Sequence, residues 1–195
     1  SESEFEALKE SEKDKKKVVK ADGVDLVLAS AVNMYDPNMT QAEAEAFYAQ
    51  IIDAKEERPI SYGLNAKLVY QDGKVVQEVY KVGGLYGKAL EKVVYNLEQA
   101  AKYTENEAQA QALGLLIEYY KTGDLKKWDE YNIAWVENKK GDVDYINGFV
   151  EVYEDPLGRV GTYETVVEIT DFDASARMKV VSDNVQWFED NSTID

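Results

Sequence analysis

The chain has 195 residues, of which 45% are hydrophobic, and its three Trp, five Phe and fourteen Tyr supply the aromatic area that a packed core needs. A chain of this length can bury such a core without a disulfide or a structural metal. Its formal net charge of -16 repels nucleic acid and anionic lipid, so we expect neither as a partner.

Residues 1–22 are rich in Glu and Lys and carry few apolar anchors. They predict a charged N-terminal segment that is helical but poorly packed. Residues 23–195 are expected to form a single domain. The chain has neither an apolar run of the roughly 18 to 20 residues that cross a bilayer nor a start of the signal-peptide kind. We therefore expect a soluble protein without a membrane partner, cytoplasmic if it is natural.

A helix is predicted from residue 41 to about residue 54. Thr40 suits the N-cap position, and Glu43 stands three residues later, where its carboxylate can reach back to the N-cap amide. The pair forms a capping-box pattern, so the start of this helix is well defined by the sequence.

Two strands, residues 64–70 and 75–82, are predicted to form a first β-hairpin. Between them stand Asp72 and Gly73, a dipeptide that a type I′ turn favours because both of its central positions need positive φ. The glycine-rich run over residues 83–87 lacks the spacing of a phosphate-binding loop and is typical of a turn into a helix.

Three helices are predicted in the middle of the chain, over residues 88–103, over about residues 105–121 and after Asp124. Each carries apolar side chains at helical spacing, and their short connections predict antiparallel neighbours. The third helix is expected to face the core with Leu125, Trp128, Tyr131 and Trp135.

A second hairpin is predicted from a long strand that begins at Gly141 and a returning strand over residues 161–170. The period of two places alternate residues of the long strand on opposite faces. The predicted core face comprises Ile146, Gly148, Val150 and Val152. The predicted outer face comprises Tyr145, Asn147, Phe149, Glu151 and Tyr153. A last helix is predicted over about residues 174–189.

This order of elements indicates an α+β fold. We expect the two β-hairpins to form a small curved or barrel-like sheet, flanked by the helical block and by helices at both ends.

The chain contains no His and no Cys. It therefore lacks the side chains of a Ser-His-Asp triad, of a thiolate nucleophile and of zinc sites that use His or Cys. We expect no bound metal and no cofactor. Glu151 and Asp155 are close in sequence, and a pair of carboxylates can serve as acid and base in glycoside hydrolysis. We disfavour that function because Asp155 precedes Pro156 in a turn, where Asp commonly accepts backbone hydrogen bonds.

Six segments, in one colinear order from about residue 23 onward, resemble the dipeptidyl peptidase III family, most closely its bacterial members. They are "GVDLVLASAVNMYD", "SYGLNAKLV", "VGGLYGKALEKVVY", "LIEYYKTGDLKKWDEYNIAWV", "DYINGFVEVYEDPLG" and "NVQWFEDN". The Asn-Gly-Phe-x-Glu-x-Tyr-x-Asp-Pro-Leu-Gly block at residues 147–158 is specific. The resemblance implies a two-lobed zinc exopeptidase that removes dipeptides from short peptides bound between the lobes.

The resemblance also implies roles for three side chains. In the family, the Glu of this block helps to hold the free amine of the substrate, and the Tyr donates a hydrogen bond to the reacting carbonyl. By position these are Glu151 and Tyr153, and Asn147 is the third candidate for peptide binding. Short peptides, weakly bound, are the expected ligands, and a zinc-bearing lobe is the expected partner.

The chain resembles the region that precedes the zinc lobe, since the His-Glu-x-x-Gly-His motif and the later Glu-bearing zinc motif of the family are both absent. Glu154 stands where bacterial members commonly have Gly, and residues 190–195 lack an expected His. A peptide-binding lobe that is not itself an enzyme is therefore the leading interpretation. Two alternatives remain open: an engineered or structural scaffold without a ligand, and a fragment of a complete enzyme whose zinc lobe lies on another chain or was cut away.

Overall fold

A computed structural model describes residue 3 and residues 18–193 of the chain. The predicted helical segment over residues 1–22 thus lies almost entirely outside the described residues. Its described end, residues 18–22, has no regular secondary structure.

The predicted helices and hairpins occur along the described chain in the predicted order, and one short helix, Leu26–Ala29, was not predicted. The helices are α1 (Leu26–Ala29), α2 (Gln41–Ile51), α3 (Gly87–Ala100), α4 (Glu107–Thr122), α5 (Leu125–Glu137), α6 (Phe172–Asp183) and α7 (Val185–Asp190). The strands are β1 (Ala66–Gln71), β2 (Lys74–Val79), β3 (Val143–Glu151) and β4 (Thr162–Ile169). A 3-10 turn, Ala101–Tyr103, extends α3. The mixed helix and strand content confirms the α+β prediction.

The capping box at the start of α2 is confirmed. The Glu43 backbone amide donates to the Thr40 hydroxyl at 3.3 Å, and the Thr40 amide donates to the Glu43 carboxylate at 3.0 Å. Two amides that the helix leaves unpaired are satisfied in this way, which is why the pattern sets the first residue of a helix.

Both predicted hairpins form, but as separate sheets. β1 pairs antiparallel with β2, and the turn between them has φ of 50° at Asp72 and 75° at Gly73, as a type I′ turn requires. β3 pairs antiparallel with β4 from Val143 opposite Ile169 to Glu151 opposite Thr162. Within residues 18–193 these are two two-stranded sheets, so the single curved or barrel-like sheet is not confirmed.

The three middle helices, α3 to α5, form a helical block that supplies several of the largest side chains of the core. Tyr119 and Tyr120 of α4 are completely buried, and Trp128 and Tyr131 of α5 are nearly so. The ring of Trp128 lies 5.0 Å from that of Tyr119 and 5.3 Å from that of Tyr131, measured between centroids. These contacts confirm the inward face that the spacing predicts for α5.

The core face predicted for β3 is only partly right. Gly148 is buried and Val150 and Val152 are half-buried, as expected, but Ile146 is 44% exposed and Phe149 is only 4% exposed. The prediction was wrong for Ile146 and Phe149.

The cause is that β3 is covered on both sides near its end. Gly148 lies against the indole of Trp128. Phe149, whose side chain alternates to the other face, packs against Tyr80 at 4.9 Å and against Tyr163 at 5.6 Å between ring centroids. A period-of-two pattern assigns one buried face, and it fails where both faces have neighbours.

The predicted C-terminal helix is divided at Asn184, which ends α6 and begins α7. Its side-chain amide donates to the Val180 carbonyl at 2.7 Å, and its ψ of 11° departs from helical geometry. Asn competes for backbone groups in this way and interrupts helices. No residue of α6 or α7 is buried.

None of the helices over the described residues combines the length and the apolarity that crossing a membrane requires.

Gly148→Ala is expected to destabilise the protein by about 1 to 3 kcal/mol, because overpacking a closed contact forces rings and backbone apart. A methyl group at this position would lie 2.6 Å from Cζ3 of Trp128 and closer still to its Cη2. Urea unfolding of both proteins measures the difference. Gly114→Ala is the matched control: no atom lies within 4 Å of that added methyl group, so it should stabilise α4 by about 0.4 to 1 kcal/mol. Equal stability of Gly148→Ala and the parent would contradict the packing.

Candidate functional site

Glu151 and Tyr153 lie at the end of the second hairpin. Glu151 is the last residue of β3, is exposed, and stands opposite Thr162, whose hydroxyl donates to the Glu151 carbonyl at 3.2 Å. Tyr153 is 62% exposed and lies in the turn after β3. Over residues 18–193 no hydrogen bond of either side chain is found, and both side chains are exposed to solvent.

The prediction that Glu151 and Tyr153 share one strand was wrong for Tyr153. An extra residue between Phe149 and Glu151 shifts the pairing with β4, and the Asp155 amide then donates to the Val152 carbonyl at 3.0 Å. A bulge followed by a turn ends the strand early. The period of two of a strand therefore cannot be used to place the side chains of Glu151 and Tyr153 on the same face.

Asn147 lies in β3 and is held by neighbours on two elements. Its Oδ1 accepts a hydrogen bond from the Tyr120 hydroxyl at 2.6 Å, and its Nδ2 donates to the Tyr163 and Thr165 hydroxyls, both at 3.1 Å. Burial raises the pKa of the Tyr120 hydroxyl far above its ordinary value, so this group stays a donor. Both amide protons are thus used within the protein, and no described contact joins Asn147 to Glu151 or Tyr153. Its role in peptide binding stays a prediction.

Asp155 organises the turn that carries Tyr153. Its side chain is fully buried and accepts hydrogen bonds from the backbone amides of Leu157, Arg159 and Val160 at 3.1, 2.8 and 2.8 Å. This is the turn role that its place before Pro156 predicts.

The same carboxylate accepts a hydrogen bond from the Tyr35 hydroxyl, which lies 2.9 and 2.8 Å from its two oxygens. Burial, with the neighbouring Asp155 charge, raises the pKa of Tyr35 far above its ordinary value and keeps it a donor. Sequence reasoning missed Tyr35. The two residues are 120 positions apart, and no local pattern joins them.

The other end of β3 is held by Glu105, which precedes α4. Its carboxylate accepts from the backbone amides of Asp142, at 2.9 and 3.0 Å, and of Val143, at 3.1 Å. These bonds to the Asp142 and Val143 amides hold the pKa of Glu105 below its ordinary value, because they favour the charged form.

A cavity of about 570 Å³ opens beside the turn. It is lined by Val150 and Val152 and by apolar residues of the chain before β1, and Arg159 is the charged residue of its lining. The Arg159 guanidinium lies 4.6 Å from the centroid of the Tyr48 ring. The positive charge of Arg159 disfavours a cationic group at this cavity.

The described residues do not suit the zinc ion that the resemblance implies. Residue 3 and residues 18–193 contain no cluster of three or more acidic side chains that could hold a metal, and the whole chain has no His or Cys. Zinc sites in proteins are built mainly from those two residue types.

The sequence model of peptidase family M49 matches residues 11–188. The chain belongs to peptidase family M49. Among curated relatives, dipeptidyl peptidase 3 of Rattus norvegicus is 33% identical over 96 residues, which cover 49% of this chain and 13% of the relative. Dipeptidyl peptidase 3 of Dictyostelium discoideum is 28% identical over 173 residues, which cover 79% of this chain and 24% of the relative. This M49 chain therefore spans less than a quarter of the length of these relatives.

Two solved structures share the fold. That of DPP III from Caldithrix abyssi aligns with a TM-score of 0.61 and 21% identity, over 95% of this chain and 37% of that one. That of dipeptidyl-peptidase III from Corallococcus aligns with a TM-score of 0.58 and 23% identity, over 88% of this chain and 30% of that one. The M49 chain thus corresponds in fold to about a third of each.

Acid is expected to weaken the hold of Glu105 on β3. Because its pKa is lowered on folding, its stabilising effect is present above the unfolded pKa and is lost as pH falls from the ordinary 4.5 through the folded value. Glu105→Gln should therefore melt below the parent at pH 7, and the gap should close towards pH 3. Thermal melts across this range measure it. Glu91→Gln, at an exposed position of α3, should show no gap at any pH, and a Glu105→Gln gap that widens in acid would contradict the assignment.

Proposed function

We propose that this chain forms the wall of an M49 peptidase cleft that anchors the amino terminus of a short peptide. Glu151 binds the ammonium group, and Tyr153 donates a hydrogen bond to a peptide carbonyl. The observation that carries the proposal is the exposure of both side chains at one end of the β3–β4 hairpin, where the buried Asp155 orders the backbone. Membership of a peptidase family supports it.

The binding is weak by this account. An exposed carboxylate and an ammonium gain about 0.2 to 1 kcal/mol in water, and a single wall must order a flexible peptide by itself. The net charge of -16 adds a long-range attraction for cationic amines, which salt screens.

The chain binds without catalysing hydrolysis by this account. Carboxylates without His or Cys are poor zinc ligands, and a peptide carbonyl held at Tyr153 meets no activated water. The rival interpretation is a scaffold without a ligand, in which Glu151 and Tyr153 have no function. Titration with peptides distinguishes that scaffold from a peptide-binding lobe.

A zinc-bearing lobe is the partner in this proposal. Large apolar side chains are exposed from β4 to α7, with Val167 at 66%, Ile169 at 74% and Trp187 at 61%. A surface of this kind is typical of an interface. The solved relatives have about two thirds of their length beyond the matched part, which is chain enough to cover this surface.

A tripeptide with a free amine is expected to bind roughly two- to fivefold more tightly than its N-acetylated form, because only the free amine pairs with Glu151. Glu151→Gln should remove the difference, and salt should reduce it. Tyr153→Phe should weaken binding of the free and the acetylated peptide alike, since it removes a hydrogen bond to a peptide carbonyl and leaves the pairing of Glu151 with the amine intact. Calorimetry or chemical-shift titration measures each affinity.

Glu168→Gln is the matched control, since it removes the same charge at the far end of β4, opposite Asp144. It should preserve the preference for the free amine. Equal affinity for the free and acetylated peptides, or an unchanged preference in Glu151→Gln, would leave the scaffold interpretation. Release of arylamine from a dipeptidyl arylamide by the chain with added zinc would contradict the non-catalytic role.

A further inference from the structure

The turn that carries Tyr153 is attached to the core by the packing of Val160 and, through the side chain of Asp155, by a buried hydrogen bond. Within residues 152–160, the Asp155 carboxylate accepts hydrogen bonds from three backbone amides of the turn itself. The Asp155 backbone adds two closing bonds, its amide to the Val152 carbonyl and its carbonyl to the Gly158 amide, both at 3.0 Å. All of these bonds are internal to the turn. The hydroxyl of Tyr35 is the donor to this carboxylate from outside it.

Tyr35 is itself rigidly placed. Its backbone forms a parallel bridge with Leu68 of β1. On either side of it, the Leu68 amide donates to the Met34 carbonyl at 3.1 Å and the Asp36 amide donates to the Leu68 carbonyl at 2.8 Å. The side chain is only 3% exposed. The hydroxyl therefore transmits the position of the first hairpin to the turn, and we name this contact the Tyr35–Asp155 tether.

Glu151 and Tyr153 have no comparable support of their own. They flank Val152, whose carbonyl accepts the Asp155 amide, and their side chains make no hydrogen bonds within residues 18–193. Their location is therefore set by the backbone, which for Glu151 is the end of β3 paired with Thr162 and for Tyr153 is the turn that Asp155 organises. We infer that Tyr35 is a positioning residue for peptide binding, acting through Asp155 on Glu151 and Tyr153; this role rests on the proposed function.

The alternative, that Tyr35 only stabilises the fold, differs in one respect. A positioning residue loses its effect on binding once the group that it positions is removed, whereas a general loss of stability acts regardless of that group. The coupling between Tyr35 and Glu151 therefore discriminates between the two roles.

The test is a double-mutant cycle with Tyr35→Phe and Glu151→Gln, read as the affinity for a tripeptide with a free amine. Tyr35→Phe keeps the ring, removes the tether and should weaken binding roughly two- to fivefold, as Glu151→Gln does. The double variant should bind no more weakly than Glu151→Gln alone. Tyr119→Phe, an equally buried ring in α4, should leave the affinity unchanged and the Glu151→Gln loss intact. Losses that multiply in the double variant, or an unchanged affinity of Tyr35→Phe, would overturn the inference.

Hydrogen exchange at low temperature tests the Tyr35–Asp155 tether without a ligand, and it can be measured even if the variant is less stable than the parent. The amides of Leu157, Arg159 and Val160 should exchange at least roughly tenfold faster in Tyr35→Phe, while those of β1 keep their rates. Unchanged rates in the turn would also overturn the inference. If Glu151→Gln has no effect in the parent protein, the proposed function fails and the positioning role fails with it, even where the exchange rates show the tether.

Discussion

The carboxylate of Asp155 is the group on which the geometry of the candidate site depends. A buried charge is costly unless hydrogen-bond donors replace its water, and here one hydroxyl and three backbone amides do so. Because the amides belong to the turn and the hydroxyl belongs to Tyr35, the two parts of the chain cannot separate without removing one of the four donors to that buried charge. Glu151 and Tyr153 are exposed, and in our inference this buried contact fixes the position of the backbone that carries them.

Hydrogen bonds from side chains also hold the second hairpin at the start and in the middle of β3. Glu105 pairs with the first amides of β3, and Tyr120 reaches Asn147 in the middle of the strand. These hydrogen bonds thus fix β3 at its start and in its middle. The opposite boundary differs: β4, α6 and α7 expose large apolar side chains and bury little. In the proposed function, this exposed apolar surface is the one that the second lobe covers.

Membership of peptidase family M49 and the lack of His and Cys have to be explained together. Recognition of a charged terminus needs only a placed carboxylate, whereas hydrolysis needs an activated nucleophile or metal. In the proposed function, Glu151 supplies the first of these requirements. The separation of binding from chemistry is therefore consistent with a chain that corresponds in fold to about a third of a solved peptidase.

Local features of this protein were determined by the sequence itself. The capping box of Thr40 and Glu43, the turn at Asp72 and Gly73 and the inward face of α5 were all predictable, because each depends on residues a few positions apart. Tertiary structure decided the rest. Phe149 is buried and Ile146 is exposed because β3 has neighbours on both faces, and Tyr153 leaves the strand because a bulge intervenes. The tether from Tyr35 to Asp155 joins residues 120 positions apart, and only the folded chain brings such a hydroxyl and carboxylate together.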